Sequence, residues 1–376
     1  MRLLLRVMAK TILCAALGGC VRQINPFPTR AESDSLSDIT QLTFGFSRAG
    51  EAYFSPDMKW LIFQAIPEGE QHYQMYVAPV KYGQRAAQTS TPQPQDIVGL
   101  GSPIRISPPN SRNTCGYFSP DANSLIFSST AGKEDPTEPR AGYQRQGRDY
   151  RWSFPAGMEI YRADGWQGAI AAAEPNAIVD LARYRLTDND AYDAEASYSP
   201  DGKWLVFTSN RTGDLELFAM RADGSGLVQL TFSPGYDGGP FFSPDGKRIV
   251  YRSDRKGNDL LQVFVADVVF STDGTIRGIA NEKQITRGNH VSWGPYWHPD
   301  GKHIVYATSA HGHDNYEIYL MRDDGSRKTR VTHTPPGVPD VLPVISPDGR
   351  YLIWSSRRDG RTTQVYLARF RLSRGS

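Results

Sequence analysis

The stretch Tyr198-Ser199-Pro200-Asp201-Gly202-Lys203-Trp204-Leu205-Val206-Phe207 joins an aromatic residue, a four-residue turn, a lysine and a run of β-formers. Proline presets φ at the second turn position, aspartate tolerates the turn, and glycine takes a positive φ without steric cost. Five more copies centre on Ser55-Pro56-Asp57, Ser119-Pro120-Asp121, Ser243-Pro244-Asp245-Gly246, His298-Pro299-Asp300-Gly301 and Ser346-Pro347-Asp348-Gly349. His298 replaces the serine of its repeat as a turn variant. Flanking runs such as Arg248-Ile249-Val250-Tyr251 and Tyr351-Leu352-Ile353-Trp354 are β-branched and aromatic, so each phrase reads as a hairpin. Recurrence at intervals of very roughly 45 residues, four strands to an interval, is the pattern of propeller blades. The expected fold is all-β: a six-bladed β-propeller over residues 38–370, with a short tail at 371–376.

The 376 residues exceed a one-domain prior, but a propeller grows by adding blades about one axis. Net charge is +2 with both signs interspersed, so no nucleic-acid partner is indicated. Of the three cysteines, Cys14 and Cys20 fall in the N-terminal segment. Cys115 then has no disulfide partner and reads as a small core residue rather than a nucleophile.

Outer strands end in a repeated Gln/Arg-apolar-Thr/Ser phrase: Gln41-Leu42-Thr43, Arg105-Ile106-Ser107, Arg185-Leu186-Thr187, Gln229-Leu230-Thr231, Gln284-Ile285-Thr286 and Arg330-Val331-Thr332. The first precedes the first inner strand, and the last blade stops after its third strand at Tyr366-Leu367-Ala368. Ile39–Thr43 is therefore expected to supply the outer strand of the last blade, closing the ring and removing exposed edges.

Arg2, Arg6 and Lys10 precede the apolar Thr11-Ile12-Leu13-Cys14-Ala15-Ala16, the order of a secretory signal. Leu17-Gly18-Gly19-Cys20 resembles the bacterial lipobox, which implies a lipoprotein signal peptide at 1–19, acylation of Cys20 and membrane anchoring by its acyl chains. Val21 then favours the outer membrane, and residues 20–37 read as a tether.

Three stretches interrupt the repeat: Lys81–Gly101 in blade one, and Ala131–Pro155 and Gly165–Asp180 in blade two. Ala131–Pro155 holds Tyr143, Tyr150, Trp152 and Phe154 with Arg140, Arg145, Arg148 and Arg151, a composition typical of interface anchors. Aligning inner strands on the turn aspartate puts Ala49, Asn113, Asp193, Asp237, Ser292 and Asp340 eight residues upstream. Glu51, Cys115, Glu195, Gly239, Gly294 and Leu342 stand six upstream. Side chains two apart share a strand face. The expectation is an acidic ring at one channel mouth, made by Asp193, Glu195, Asp237, Asp340 and Glu51 with Asn113 and Ser292 between. Such a ring suits a hard cation such as Ca²⁺, with Asp193, Asp237 and Asp340 as candidate ligands, or the cationic end of a peptide. The alternative is that Asp193 and Asp237 satisfy backbone groups in their turns. His311-Gly312-His313-Asp314 and His290 are expected near the same face as solvated loop residues.

Gly45-Phe46-Ser47-Arg48-Ala49 lacks the closing glycine of a nucleophile elbow, and no phosphate loop, His-Glu-x-x-His or Cys-x-x-Cys is present. No appended catalytic domain is expected.

The phrases Tyr198–Phe207 and Phe242-Ser243-Pro244-Asp245-Gly246-Lys247, with the Gln-Leu-Thr endings, resemble the PD40-type repeats of TolB-like six-bladed propellers. The resemblance covers about residues 38–370. It implies a periplasm-facing envelope scaffold, with channel cations by analogy. The best-known member works with the peptidoglycan-associated lipoprotein and carries an α/β domain before its propeller. The expected function is that of a non-catalytic, lipid-anchored envelope protein whose propeller face binds a protein or peptide. The alternative is a propeller enzyme, since oligogalacturonate lyases and prolyl-oligopeptidase propellers resemble this repeat too.

Overall fold

A computed structural model describes residues 31–83, 96–131, 144–146, 149–151, 154–174 and 177–372. The signal segment at 1–19, Cys20, Arg148 and Trp152 lie outside the described residues. Tyr150 and Arg151 lie on a short strand, Asp149–Arg151, paired with Gln144–Gln146; their side chains are outside the described part.

Six antiparallel sheets form the six blades of a propeller. The inner strands are Phe46–Phe54, Asn113–Phe118, Asp193–Tyr198, Asp237–Phe242, Ser292–Trp297 and Asp340–Ile345. Each is followed by the Pro-Asp turn and a second strand, of which Trp204–Ser209 is buried along its whole length. These second strands carry no alternation because blades pack on both faces.

The turn is a repeated hydrogen-bond buckle. In blade three the Ser199 hydroxyl donates to Asp201 Oδ1 at 2.6 Å and accepts from Trp204 N–H at 2.9 Å, while Lys203 N–H reaches Asp201 Oδ1 at 3.1 Å. The same contacts recur at Ser55, Ser243 and Ser346. In blade five His298 Nδ1 takes the serine's place, accepting from Asp300 N–H at 3.2 Å. The hydroxyl residue ending each outer strand, Ser107 in blade one and threonine in the others, is a second clamp. Thr332 Oγ1 donates to Glu317 Oε2 at 2.6 Å and accepts from Ile318 N–H at 2.8 Å, stitching the outer strand to the start of the third.

Ring closure follows the sequence expectation. Leu36–Gln41 pairs antiparallel with Gln364–Phe370, and Thr43 Oγ1 donates to Gln364 Oε1 at 2.8 Å. The packed chain begins earlier than the tether boundary at 37. Glu32, only 1% exposed, pairs with Arg358 at 2.6 Å, and Leu36 and Ile39 enter the core of the last blade. The described parts of the two polar excursions form regular elements. Asp96–Leu100 pairs back on the end of blade one's long third strand, and Asp96 reaches Tyr351 and Arg369 of blade six. Gly165–Asp180 contains a helix, Trp166–Ala171, whose buried Trp166 packs edge-on against Trp60 and donates to Ala122 O at 3.0 Å.

Candidate functional site: a blind central channel

The inner strands do not run straight past the channel. In every blade two inner-strand residues oppose one on the second strand, as where Ala194 pairs Thr208 and Ser197 pairs Val206. The other five blades break register at the same place. Such a bulge re-aims side chains. Its first residue has positive φ throughout: Glu51 (46°), Cys115 (54°), Glu195 (59°), Gly239 (59°), Gly294 (57°) and Leu342 (54°). The four residues other than glycine hold a conformation that costs about 1–2 kcal/mol each. The bulge also removes N–H groups from the ladder, and these need acceptors. Side chains of the second strands supply them: Gln64 Oε1 for Cys115 N–H (3.4 Å), Thr208 Oγ1 for Gly239 N–H (3.3 Å) and Ser355 Oγ for Glu51 N–H (3.3 Å). Each of these bonds crosses from one blade to its neighbour.

The bulge splits the predicted acidic ring. Glu51 and Glu195 face the channel, as does Asn113, whose side chain is largely consumed by Gln74 Oε1 at 3.0 Å and by Ser111. Asp193, Asp237 and Asp340 do not line it. They are fully buried within their blades, each against an arginine from the turn after the second strand. Arg211 meets Asp193 at 2.6 Å, Arg255 meets Asp237 at 3.0 Å, and Arg358 meets Asp340 at 2.6 Å. Ser292 is likewise buried, with its hydroxyl on Thr308. The three carboxylates expected as Ca²⁺ ligands, Asp193, Asp237 and Asp340, thus each pair with an arginine of their own blade rather than facing one another across the channel. Among the described residues no three His, Cys, Asp or Glu side chains gather as a metal site. The reading of Asp193 and Asp237 as structural groups was closer, though their partners are guanidiniums more than turn backbone.

A cavity of about 320 Å³ occupies the channel. Its floor is an aromatic plug. Tyr53, Tyr117, Phe241 and Tyr296, each four residues before a turn aspartate, meet with ring centroids 5.0–6.0 Å apart. The Tyr117 and Tyr296 hydroxyls bond at 3.1 Å. Beyond the plug lies a separate apolar hollow bounded by the six turn prolines. At the open end stand Phe154 and Pro155, the last residues of the blade-two insertion, with His313 and Tyr316 from blade five. Of the insertion, Phe154 and Pro155 are the residues that border the mouth. The His-Gly-His pair is divided: His311 turns away to bond the Tyr319 hydroxyl at 2.7 Å.

Sequence reasoning missed the cationic half of the lining, which is Arg48, Arg112 and Arg252. Arg252 pairs with Glu195 at 2.7 Å, and that carboxylate also accepts from Tyr236 OH, Thr208 Oγ1 and Gly239 N–H. Glu51 sits beside Cys115 and Glu195. Burial above all, with Glu195 adding, pushes its carboxyl up to about 7. Burial and the two glutamates push the Cys115 thiol well above its usual range, so it stays a thiol. A protonated thiol is a poor nucleophile. Arg252 lies seven residues after its turn aspartate, the same offset as Gln64, Thr208 and Ser355. That shared offset is the signal that marks it as channel-facing.

Residues 197–280, the heart of blades three and four, match the TolB beta propeller domain, PD40. The chain is a six-bladed β-propeller that carries TolB-type repeats in blades three and four. It is 32% identical over 168 residues to a Protein TolB homolog of Chlorobium luteolum, a match covering 44% of this chain and 34% of that one. It is 26% identical over 173 residues to the Uncharacterized peptidase YuxL of Bacillus subtilis, covering 45% and 23%. The chain spans about a third or less of the curated relatives it matches. The putative TolB from Agrobacterium tumefaciens superposes with a TM-score of 0.51 at 19% identity, over 86% of this chain and 91% of that one. At that identity the likeness is one of fold. No helix among the described residues is long and apolar enough to cross a membrane.

Proposed function

We propose that the open end of the channel receives a segment of a protein or peptide partner, and that the protein is a non-catalytic scaffold of the cell envelope. In this reading it is anchored by lipid at Cys20 to the outer membrane and faces the periplasm. The observation that carries the proposal is the blind, aromatic-floored cavity whose polar groups are tied into the walls. Glu195 spends its lone pairs on Arg252, Tyr236 and backbone, and Cys115 is held protonated. A volume of about 320 Å³ is at the lower end of small-ligand pockets (~300–1,000 Å³), room for the tip of a segment rather than a folded domain. The TolB homolog among the relatives accords with a protein partner.

The test is a crosslinking pull-down from envelope extract of the native host, with the wild-type chain and with Pro339→Trp. Pro339 is half-buried on the cavity wall, so an indole there fills the mouth. A band lost in the variant, at unchanged melting temperature, supports the proposal. Recovery of the same proteins by both forms refutes the mouth as the binding site. Turnover of uronate oligomers or peptides by the purified chain refutes the non-catalytic reading.

A further inference from the structure

We infer that the segment entering this cavity presents a carboxylate. The inference rests on the mouth being the binding site and goes on to name the chemistry it selects. With the three aspartates withdrawn into their blades, the lining includes the guanidiniums of Arg48 and Arg252 and the carboxyls of Glu51 and Glu195. Glu195 is already saturated by Arg252, Tyr236 and Gly239 N–H, so it has little left for an incoming cation. Glu51 lies beside Glu195 and the Cys115 thiol, a setting that opposes its ionisation. Arg48 is exposed at the mouth, beside Tyr73. Among the described residues no carboxylate stands within ion-pair distance of it. Deeper in, Arg252 Nε is buried without an acceptor. A guanidinium at the rim fits an incoming carboxylate, the positive charge of Arg252 below it adds to that attraction, and both repel the ammonium of a lysine. The carboxylate can come from an acidic side chain or from a free C-terminus.

Four labelled heptapeptides sharing one aromatic-containing sequence test this by fluorescence anisotropy. Three are C-terminally amidated, with Glu, Gln or Lys at the centre, and the fourth is the Gln peptide with a free C-terminus. The Glu peptide is expected to bind about tenfold more tightly than the Gln peptide, with the Lys peptide weakest. The advantage should vanish in Arg48→Gln, an exposed change that leaves the fold intact, and shrink as salt rises to about 0.5 M. If the free-acid Gln peptide gains as much as the Glu peptide, a chain terminus is the source. An amidated Gln or Lys peptide binding as tightly as the Glu peptide overturns the inference, as does failure of every peptide to bind at about 1 mM. Binding that survives Pro339→Trp also overturns it, because the peptides would then sit elsewhere. Loss of charge preference with all binding still abolished by Pro339→Trp sinks the carboxylate and spares the mouth.

Discussion

Arg358 offers the sharpest test of the reassigned aspartates. Its guanidinium, 6% exposed, bridges Glu32 (1%) and Asp340 (0%), each at 2.6 Å, and lies 5.3 Å over the Trp354 ring. Arg358→Met keeps an apolar stem against Trp354 and deletes the charge. Asp340 then keeps the Trp354 indole N–H at 3.0 Å, and the partners that Glu32 keeps include His333 N–H at 2.9 Å. Removing one partner of a buried ion pair costs about 3–5 kcal/mol, and here two carboxylates lose the same partner. The expected loss is therefore at the upper end, about 4–5 kcal/mol, read from urea midpoints by tryptophan fluorescence with slopes compared. Adding Glu32→Gln and Asp340→Asn to Arg358→Met removes the stranded charges while retaining acceptors. The triple variant should recover most of the loss, ending within about 2 kcal/mol of wild type. A single-variant cost below about 1 kcal/mol, or no recovery in the triple, would refute the buried latch.

Three further outcomes follow from other sites. Chelator and added Ca²⁺ should leave the melting temperature unchanged, since Asp193, Asp237 and Asp340 hold arginines; a shift of more than about 3 °C would restore a structural cation. Glu51, which faces Cys115, Glu195, Arg252 and Tyr53, has a folded value near 7 above an unfolded value of 4.5. Its unfolded form sheds the proton first, so its contribution is fully present below pH 4.5, declines to pH 7 and is flat above. The ceiling is about 3 kcal/mol, and partial exposure lowers it to about 1–2 kcal/mol. Glu51→Gln should flatten that part of the stability–pH curve, and an unaltered curve would refute the assignment. Ser199→Ala strips the buried Trp204 N–H of its side-chain acceptor and Asp201 Oδ1 of one of its donors, and should cost about 1–2 kcal/mol by denaturation, against little for Ser225→Ala, whose hydroxyl is exposed.

The propeller was legible because Ser-Pro-Asp-Gly is local turn chemistry repeated against β-branched runs, and because Gln41-Leu42-Thr43 stands ahead of its own blade. The channel was less so, because a period-two strand was assumed to pass straight by it. That assumption put Asp193 and Glu195 on one face, whereas the bulge at Glu195 and Ala196 sends them to opposite environments. Two signals were present. Glycine at the Glu195 offset in blades four and five, Gly239 and Gly294, marks a position of positive φ. Arginine in Ser209-Asn210-Arg211, Ser253-Asp254-Arg255 and Ser356-Arg357-Arg358 occurs in the three blades with the upstream aspartate. In the blades with Ala49, Asn113 or Ser292 it is replaced by Pro67, Ala131 and Ala310. Read together, the two columns pair off inside the blades and leave Arg252 and Arg48 to colour the pore.

The bond between Thr43 and Gln364 joins residues 321 apart. During synthesis at about 5–20 residues per second, the strand Leu36–Gln41 waits roughly 15–60 s for its partner to exist. Throughout that interval Leu36 and Ile39 have no core to enter, and both rims of a growing stack of sheets stand open. The protein is thus assembled like a clasped bracelet whose hook is forged first and whose eye is forged last. Whatever holds the nascent chain must guard the hook until then.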